Sequence, residues 1–431
     1  MRKRILFTLV ACLLVLPLVL SACGDGKPAA AKTIKIGVIG PMQFVQGEHH
    51  WFGAVMARDE INAAGGIDVA GTKYQIELIK TDSNEILSPT DAAAAMERLI
   101  TVDKAQFVIG GFRTEGVFPM QEVAMDNKTI FLGCGSATKE LCMKVKEDYA
   151  RYKYWFRVTP FSNVNLVTNS LNTLGVAGAT MKARLGFEGK VKVAILAEQA
   201  TWADAMVAAY QAYVPAKLGM EVVGTWRPSA TATDLTAELT AIQKSGAHVI
   251  LTIISGPVGI PFARQLGELK IPVASVGINV ESQKDGFMDA TAQFGNYETT
   301  LNTYAKGLAI TSKTVAFFEN FVKANGQTPT YNAGTYDAIY VLKAAIEKAG
   351  SVESDAVVTA LEATDMETTA GRLVFMGNDT ETPHDVTYGK GYVTGIATQW
   401  QKGEMKAIWP SDLQGAVAWQ IPDRVLTFYG K

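Results

Sequence analysis

Residues 34–67 read IKIGVIGPMQFVQGEHHWFGAVMARDEINAAGGI. The stretch opens inside a continuous apolar run, Thr33–Ile39, which has the length of a strand and lacks the alternation that would leave one face wet. A helix begins near Glu48 and stops at Gly65-Gly66, because glycine takes the left-handed conformation that ends a helix at no steric cost. One buried strand, a short loop and one helix make half of a βαβ unit, the repeating piece of a parallel sheet.

The unit recurs along the chain. Further strand candidates are Tyr74–Thr81, Gln106–Gly110, Thr129–Gly133, Val191–Leu196, Glu221–Trp226, Val249–Ile254 and Val273–Val276. Between them lie amphipathic segments: Leu235, Leu239 and Ile242 share one helix face, and Ile339, Leu342 and Ile346 share another. Asp234 stands where it would cap the helix starting at Leu235. The fold class is therefore α/β with parallel sheets, its strands falling into two groups, 33–158 and 191–276. Arg157–Pro160 (RVTP) leaves the first group and is the expected first crossing. Open parallel sheets bind ligands beyond the carboxyl ends of their strands. The loops expected to surround one cleft are Pro41–His50, Gly111–Gly116, Gly133–Thr138, Glu198–Trp202, Ser255–Gly259 and Gly277–Glu281.

The amino terminus reads as an export signal. Arg2, Lys3 and Arg4 precede an apolar core, Ile5–Leu20, of signal-peptide length and short of a spanning helix with its flanks. Leu20-Ser21-Ala22-Cys23 resembles the bacterial lipobox, which implies cleavage before Cys23 and lipid on its sulfur. An ordinary signal peptide with an incidental cysteine is the other reading. Residues 1–22 are thus expected to be the leader and 23–32 a flexible tether. The 431 residues are too many for one core and enough for two lobes. With 40 basic and 42 acidic side chains the chain is mildly acidic and has no basic block to suggest nucleic acid. The expected membrane contact is the lipid anchor alone. Of four cysteines, Cys12 and Cys23 belong to the leader and anchor. Cys134 and Cys142 are either a disulfide, as an extracytoplasmic compartment permits, or two buried thiols. No metal-ligand cluster is evident, and no cofactor is implied.

Several segments, in order, resemble the type I periplasmic binding proteins of the branched-chain amino acid uptake class, the leucine-binding-protein-like proteins. They are IKIGVIGPM at Ile34–Met42, ARDEINAAGGI at Ala57–Ile67, KTDSNEILSPTDA at Lys80–Ala92, VIGGF at Val108–Phe112 and YWFRVTP at Tyr154–Pro160. TDLTAELTAI at Thr233–Ile242, NAGTYDAIYVLKAAIEKAG at Asn332–Gly350 and GRLVFM at Gly371–Met376 follow. The resemblance implies two Rossmann-like lobes joined by a three-strand hinge. Residues 33–159 with about 301–388 would form lobe 1, and 160–300 with about 389–431 lobe 2. It implies closure on a small-molecule ligand and delivery to an ABC permease of the inner membrane. A sensing module for a separate signalling partner is the rival role.

The same resemblance singles out site residues. Thr114 falls at the family's ligand-binding hydroxyl position, and the backbone of Gly135, Ser136 and Ala137 in its second ligand loop. Trp202 falls where the family commonly has an aromatic residue; it either walls the pocket or packs within its own lobe. Arg113 is a departure: its guanidinium can grip a carboxylate through two parallel hydrogen bonds, or it pairs with Glu115 or another acid. Asn279 stands where amino-acid binders usually place the acid that neutralises the ligand's ammonium, with Glu281 and Glu198 as nearby substitutes. Adjacent histidines on a helix point different ways, so His49 and His50 are either surface residues or one of them, His50, reaches the cleft. The expected ligand is a small carboxylate with an apolar or aromatic body.

An enzyme reading fails on its constellations. Gly133-Cys134-Gly135-Ser136 lacks the glycine two positions before Ser136 that a nucleophile elbow needs. Thr138 occupies the third glycine position of a dinucleotide fingerprint, and no P-loop or H-E-x-x-H occurs. Nothing in the sequence orients Cys134 against His49 as a thiol site.

Overall fold

The computed structural model describes residues 32–159 and 161–431. The leader, the anchor Cys23, nearly all of the tether and Pro160 of the RVTP segment lie outside the described residues. The first sheet uses β1 (Lys32–Gly40), β2 (Ile67–Val69), β3 (Thr72–Asp82), β4 (Phe107–Gly110), β5 (Ile130–Gly133) and β6 (Trp155–Arg157) in the order β2-β3-β1-β4-β5-β6. Its pairings are parallel except the β2–β3 hairpin. The second sheet uses β7 (Lys192–Ala197), β8 (Glu221–Trp226), β9 (Val249–Ile254) and β10 (Ala274–Asn279) in the order β10-β9-β7-β8, all parallel. Every residue of β9 and β10 is buried, as the apolar runs require.

The later strands depart from the parallel expectation. After β11 (Thr299–Asn302), β12 (Asp365–Glu367) and β13 (Arg372–Val374) form a small antiparallel ribbon. β14 (Ile396–Gln401) and β15 (Glu404–Trp409) then pair with β11 in an antiparallel sheet, order β11-β14-β15. β11 and β14 are about a hundred residues apart, beyond the reach of any local pattern.

Two cores follow from this. One draws on residues between Ile34 and Phe161 and again between Ala338 and Val393. The other draws on residues between Val167 and Leu301 and again between Ala397 and Val425. A further apolar layer, with Leu235, Leu239, Ile242 and Phe262, covers the opposite face of the second sheet. The chain passes between the cores after β6, after β11 and before β14. Tyr388 packs against Phe161 with ring centres 5.0 Å apart, and its hydroxyl hydrogen-bonds the Asn169 amide and accepts from Gly395 N, which ties two of these crossings together.

Local signals acted as expected, with small shifts. The helix Val45–Ala63 ends before Gly65 and Gly66, both at positive φ (99° and 87°). Asp234 accepts from Thr236 N at 2.9 Å, so the helix Thr236–Lys244 starts one residue later and leaves Leu235 buried. Among the described residues, no helix is long and apolar enough to cross a membrane.

Candidate functional site

The carboxyl ends of the two parallel sheets face each other. From the first, β4 ends in Gly110 and Gly111, at φ 116° and 74°. A side chain at Gly110 would collide with the Ile39 carbonyl of β1. The chain then turns through Phe112 and Arg113 into the helix Thr114–Asp126. Buried Glu85, in the loop after β3, accepts from Phe112 N at 3.1 Å, from Arg113 N at 2.8 Å and from the Ser83 hydroxyl at 2.8 Å. A carboxylate is favourable at this helix start. Burial nevertheless raises its pKa to about 7 against those hydrogen bonds. The Phe112 and Arg113 amides are therefore engaged by the protein's own acid.

Arg113 reaches across to the second sheet. Its Nη2 donates to Glu198 Oε1 at 2.5 Å and to Ser255 Oγ at 3.4 Å. The pair is almost sealed from solvent, at 8% and 0% exposure. Glu198 also accepts from Ser255 N (3.0 Å), Ser255 Oγ (2.5 Å), Gly256 N (2.7 Å) and Trp202 Nε1 (2.8 Å). Its oxygens are thus committed to five donors. Glu281 is occupied too, by Gln46 Nε2 at 3.3 Å and Lys284 Nζ at 2.6 Å. Neither acid is left to neutralise an ammonium. Thr201 N donating to Glu115 and Gln46 Nε2 to Ser255 O add to the contact between the two sheet ends.

These ends enclose a cavity with about 60 Å³ open to the centre of a water molecule. One water needs about 10–15 Å³ on this measure, so the space suits a compact molecule and not a peptide. Phe112, Phe161, Leu166, Trp202, Ile278, Val280, Leu301 and Tyr331 make its wall largely apolar and aromatic. Arg113, Thr114, Gly135, Ala137, Asn169, Ser255, Gln283, Asn302, Thr303 and Gly395 complete it. Arg113 is its charged member, and among the described residues no carboxylate lines it. The Arg113 Nε is buried without a hydrogen-bond partner. Such an atom costs about 1–3 kcal/mol if left unpaired.

Of the residues singled out in the sequence, Arg113, Thr114, Gly135, Ala137 and Trp202 line the cavity together. Ser136, His50 and Asn279 do not. The Ser136 hydroxyl sits 3.1 Å from the Thr114 hydroxyl, bracing it from behind. Fully buried Arg157 donates to the carbonyls of Ser136 and Thr138 and to Asp385 Oδ1 at 3.0 Å, which anchors this loop to the segment before the third crossing. A trans peptide sets N–H opposite C=O, so the Ala137 N–H points away from Arg157. Trp202 spends its N–H on Glu198 and offers the cavity only its ring.

His50 is corrected from ligand contact to internal brace. It is fully buried, with Nε2 3.0 Å from both Cys134 O and Asn332 Nδ2. Burial lowers its pKa to about 4, which keeps it neutral. His49 is equally buried against Thr330 and Gln327, so neither histidine is on the surface. Asn279 is corrected as well: its Nδ2 donates to Gly259 O at 3.1 Å and Glu298 Oε1 at 3.0 Å. Strand neighbours point to opposite faces, so Ile278 meets the cavity and Asn279 turns to the buried acid behind it. The Cys134–Cys142 disulfide is not formed; both thiols are free and buried. Cys134 closes β5 and bonds back to Leu132 O, whereas Cys142, on the helix Glu140–Glu147, accepts from Trp155 Nε1 at 3.4 Å. Burial pushes the Cys142 thiol up to about 12 and Cys134 higher still.

Sequence reasoning missed the residues at the crossings. Phe161 directly follows RVTP, and Tyr331 directly precedes NAGTYD. Asn169 lies one turn beyond Leu166 on the helix Asn163–Leu185. Adjacency to the crossing was the available signal for all three.

The sequence model of the periplasmic binding protein family matches residues 33–391. An amino acid binding protein of Pseudomonas aeruginosa is 29% identical over 257 residues, covering 59% of this chain and 62% of that protein. Leu/Ile/Val-binding protein homolog 8 of Brucella abortus is 22% identical over 399 residues, covering 89% and 92%. The crystal structure of leucine binding protein LivK from Thermotoga maritima superposes with TM-score 0.70 at 18% identity, covering 88% of this chain and 100% of that one. An R. palustris ABC transporter solute binding protein, solved with benzoate, superposes with TM-score 0.70 at 17% identity, covering 90% and 98%.

Proposed function

The chain belongs to the periplasmic binding protein family, and from that premise we propose that it is a lipid-anchored extracytoplasmic protein that captures a small carboxylate with an apolar or aromatic body and delivers it to an ABC importer. It is a solute-binding protein and not an enzyme. Export and anchoring rest on the basic start, the apolar Ile5–Leu20 core and Cys23. Capture rests on hinge motion at the three crossings, with lobe 1 as 33–159 plus about 301–388 and lobe 2 as 160–300 plus about 389–431. A ligand that touches both lobes only when they meet shifts the population toward the closed form, the form a permease would read.

The observation that carries the ligand class is the unpartnered Arg113 Nε–H on a wall without carboxylates among the described residues. Arg113 is paired with Glu198 through Nη2 alone, and Glu281 is held by Gln46 and Lys284. A carboxylate satisfies the guanidinium; a buried ammonium would find no counter-charge on the wall. Thr114, Gly135, Ala137 and Trp202 complete the proposed contacts. Relatives named for leucine, isoleucine and valine bind a zwitterion, while some structural neighbours hold benzoates. The wall of this chain favours the second kind. Isothermal titration with matched pairs tests this: benzoate and isocaproate should bind, and leucine, the α-amino counterpart of isocaproate, should bind about tenfold or more weakly. Tight leucine binding with no response to isocaproate would refute the proposal.

A further inference from the structure

Glu198 lies behind the cavity wall and not on it: it is fully buried, yet three of the groups it holds belong to residues that line the cavity. They are Arg113 Nη2, Trp202 Nε1 and the Ser255 hydroxyl. Arg113 comes from the loop after β4 and Glu198 directly follows β7, so the pair also bridges the ends of the two sheets. We infer that Glu198 is a specificity-determining residue: as the standing counter-ion of Arg113, it sets how strongly the cavity prefers an anion to a neutral ligand of the same shape. This inference rests on the carboxylate reading and assigns the acid that tunes it.

The physical ground is a shared charge. A guanidinium buried alone in a largely apolar wall is costly, and Glu198 offsets that cost. It contacts Nη2 alone, while the Nε–H has no partner. A carboxylate that takes the Nε–H then stands one guanidinium's width from Glu198, so that two anions flank one cation. Like charges this close, in a site this dry, repel each other. The pull of Arg113 on an anionic ligand is thereby reduced, whereas a neutral ligand in the same place feels little of either charge. Glu198 is also fixed in place, because Ser255 N, Ser255 Oγ and Gly256 N hold it on its own sheet. No other acid nearby takes this position. Glu85 accepts from the Phe112 and Arg113 backbone amides, Glu115 from Thr201 N, and Glu281 from Gln46 and Lys284.

Glu198→Gln keeps the shape of the side chain and removes its charge. Calorimetric titration of the mature protein with benzoate and benzamide, nearly identical in shape and different by one charge, reads the consequence as a ratio. Loosening the lobes or the Trp202 ring would change both affinities together, so a merely structural role leaves that ratio alone. The benzoate-to-benzamide affinity ratio should rise about tenfold in Glu198→Gln over wild type. Glu198→Asp keeps the charge but draws it back from Arg113 by one methylene. It should raise the ratio by a smaller factor, and it decides the matter if the glutamine variant does not fold. A ratio unchanged within about twofold, or lowered, would overturn this inference and leave the carboxylate reading standing. Binding of leucine to the wild type with no response to benzoate or isocaproate would overturn the carboxylate reading, and this inference with it.

Discussion

Arg113→Ala separates the two jobs the structure assigns to one side chain. Removing one member of a buried ion pair usually costs about 3–5 kcal/mol, because the survivor is stranded without a partner. Glu198 is not stranded: Ser255 N, Ser255 Oγ, Gly256 N and Trp202 Nε1 remain around it. Three belong to the loop after β9 and Trp202 to the first turn of the helix Thr201–Leu218, so neither core loses its packing. The cost to the apo fold is therefore closer to about 1–2 kcal/mol, which lowers the melting temperature by no more than about 2–8 °C. Ligand affinity falls further. Loss of a charge-assisted contact removes about 1.5–3 kcal/mol, roughly ten- to hundredfold in Kd. Arg113→Lys keeps the charge and loses the planar fork, so its affinity should fall between the two. Titration calorimetry of a carboxylate ligand, paired with scanning calorimetry of the apo protein, reads both quantities. A Kd unchanged within about twofold would show that Arg113 does not touch ligand. An apo melting temperature lowered by much more than the stated range would make it a structural residue.

Other outcomes follow from single residues. Cys23→Ala should abolish lipid modification and release the protein from membranes; a variant that still partitions like wild type would refute the anchor. Cys134 and Cys142 should both react with a thiol label after non-reducing denaturation and neither before it; a resistant pair would mean a disulfide. His50 has a folded pKa lowered to about 4 by burial, below its ordinary value near 6.5. A lowered histidine pKa means the unfolded chain takes up the proton first, so stability is present at neutral pH and lost as pH falls through that window. His50→Gln should show a shallower decline in melting temperature between about pH 6.5 and 4; parallel curves would clear His50 of the effect.

Much of the fold was legible before any coordinates. The βα alternation, the buried character of the strands and the Gly65-Gly66 stop all depend on neighbours within a few turns of chain. The antiparallel sheet was not legible, since β11 and β14 pair across about a hundred residues and neither strand alternates clearly. Part of the site was legible in the same local sense. The loops after the strands of parallel sheets face the cleft by topology, so Arg113, Thr114, Gly135, Ala137 and Trp202 could be located by position.

What each polar side chain does there was decided by the tertiary structure. Arg113 meets Glu198 from the other sheet, 85 residues on, and that pairing removes the acid that sequence reasoning had set aside for an ammonium. His50 is drawn inward because the helix Val45–Ala63 packs against the 330–335 segment, not because of any feature of its own neighbours. At β10 a position in the chain was not enough: the face each residue presents depends on how the strand lies in its sheet. The sequence by itself determined that this is an α/β protein with parallel sheets, because burial and periodicity are local properties of the chain. The tertiary structure decided that the arginine on the cleft wall is paired with Glu198 and that no carboxylate among the described residues lines the cavity, because an ion pair depends on which distant side chain the fold brings alongside.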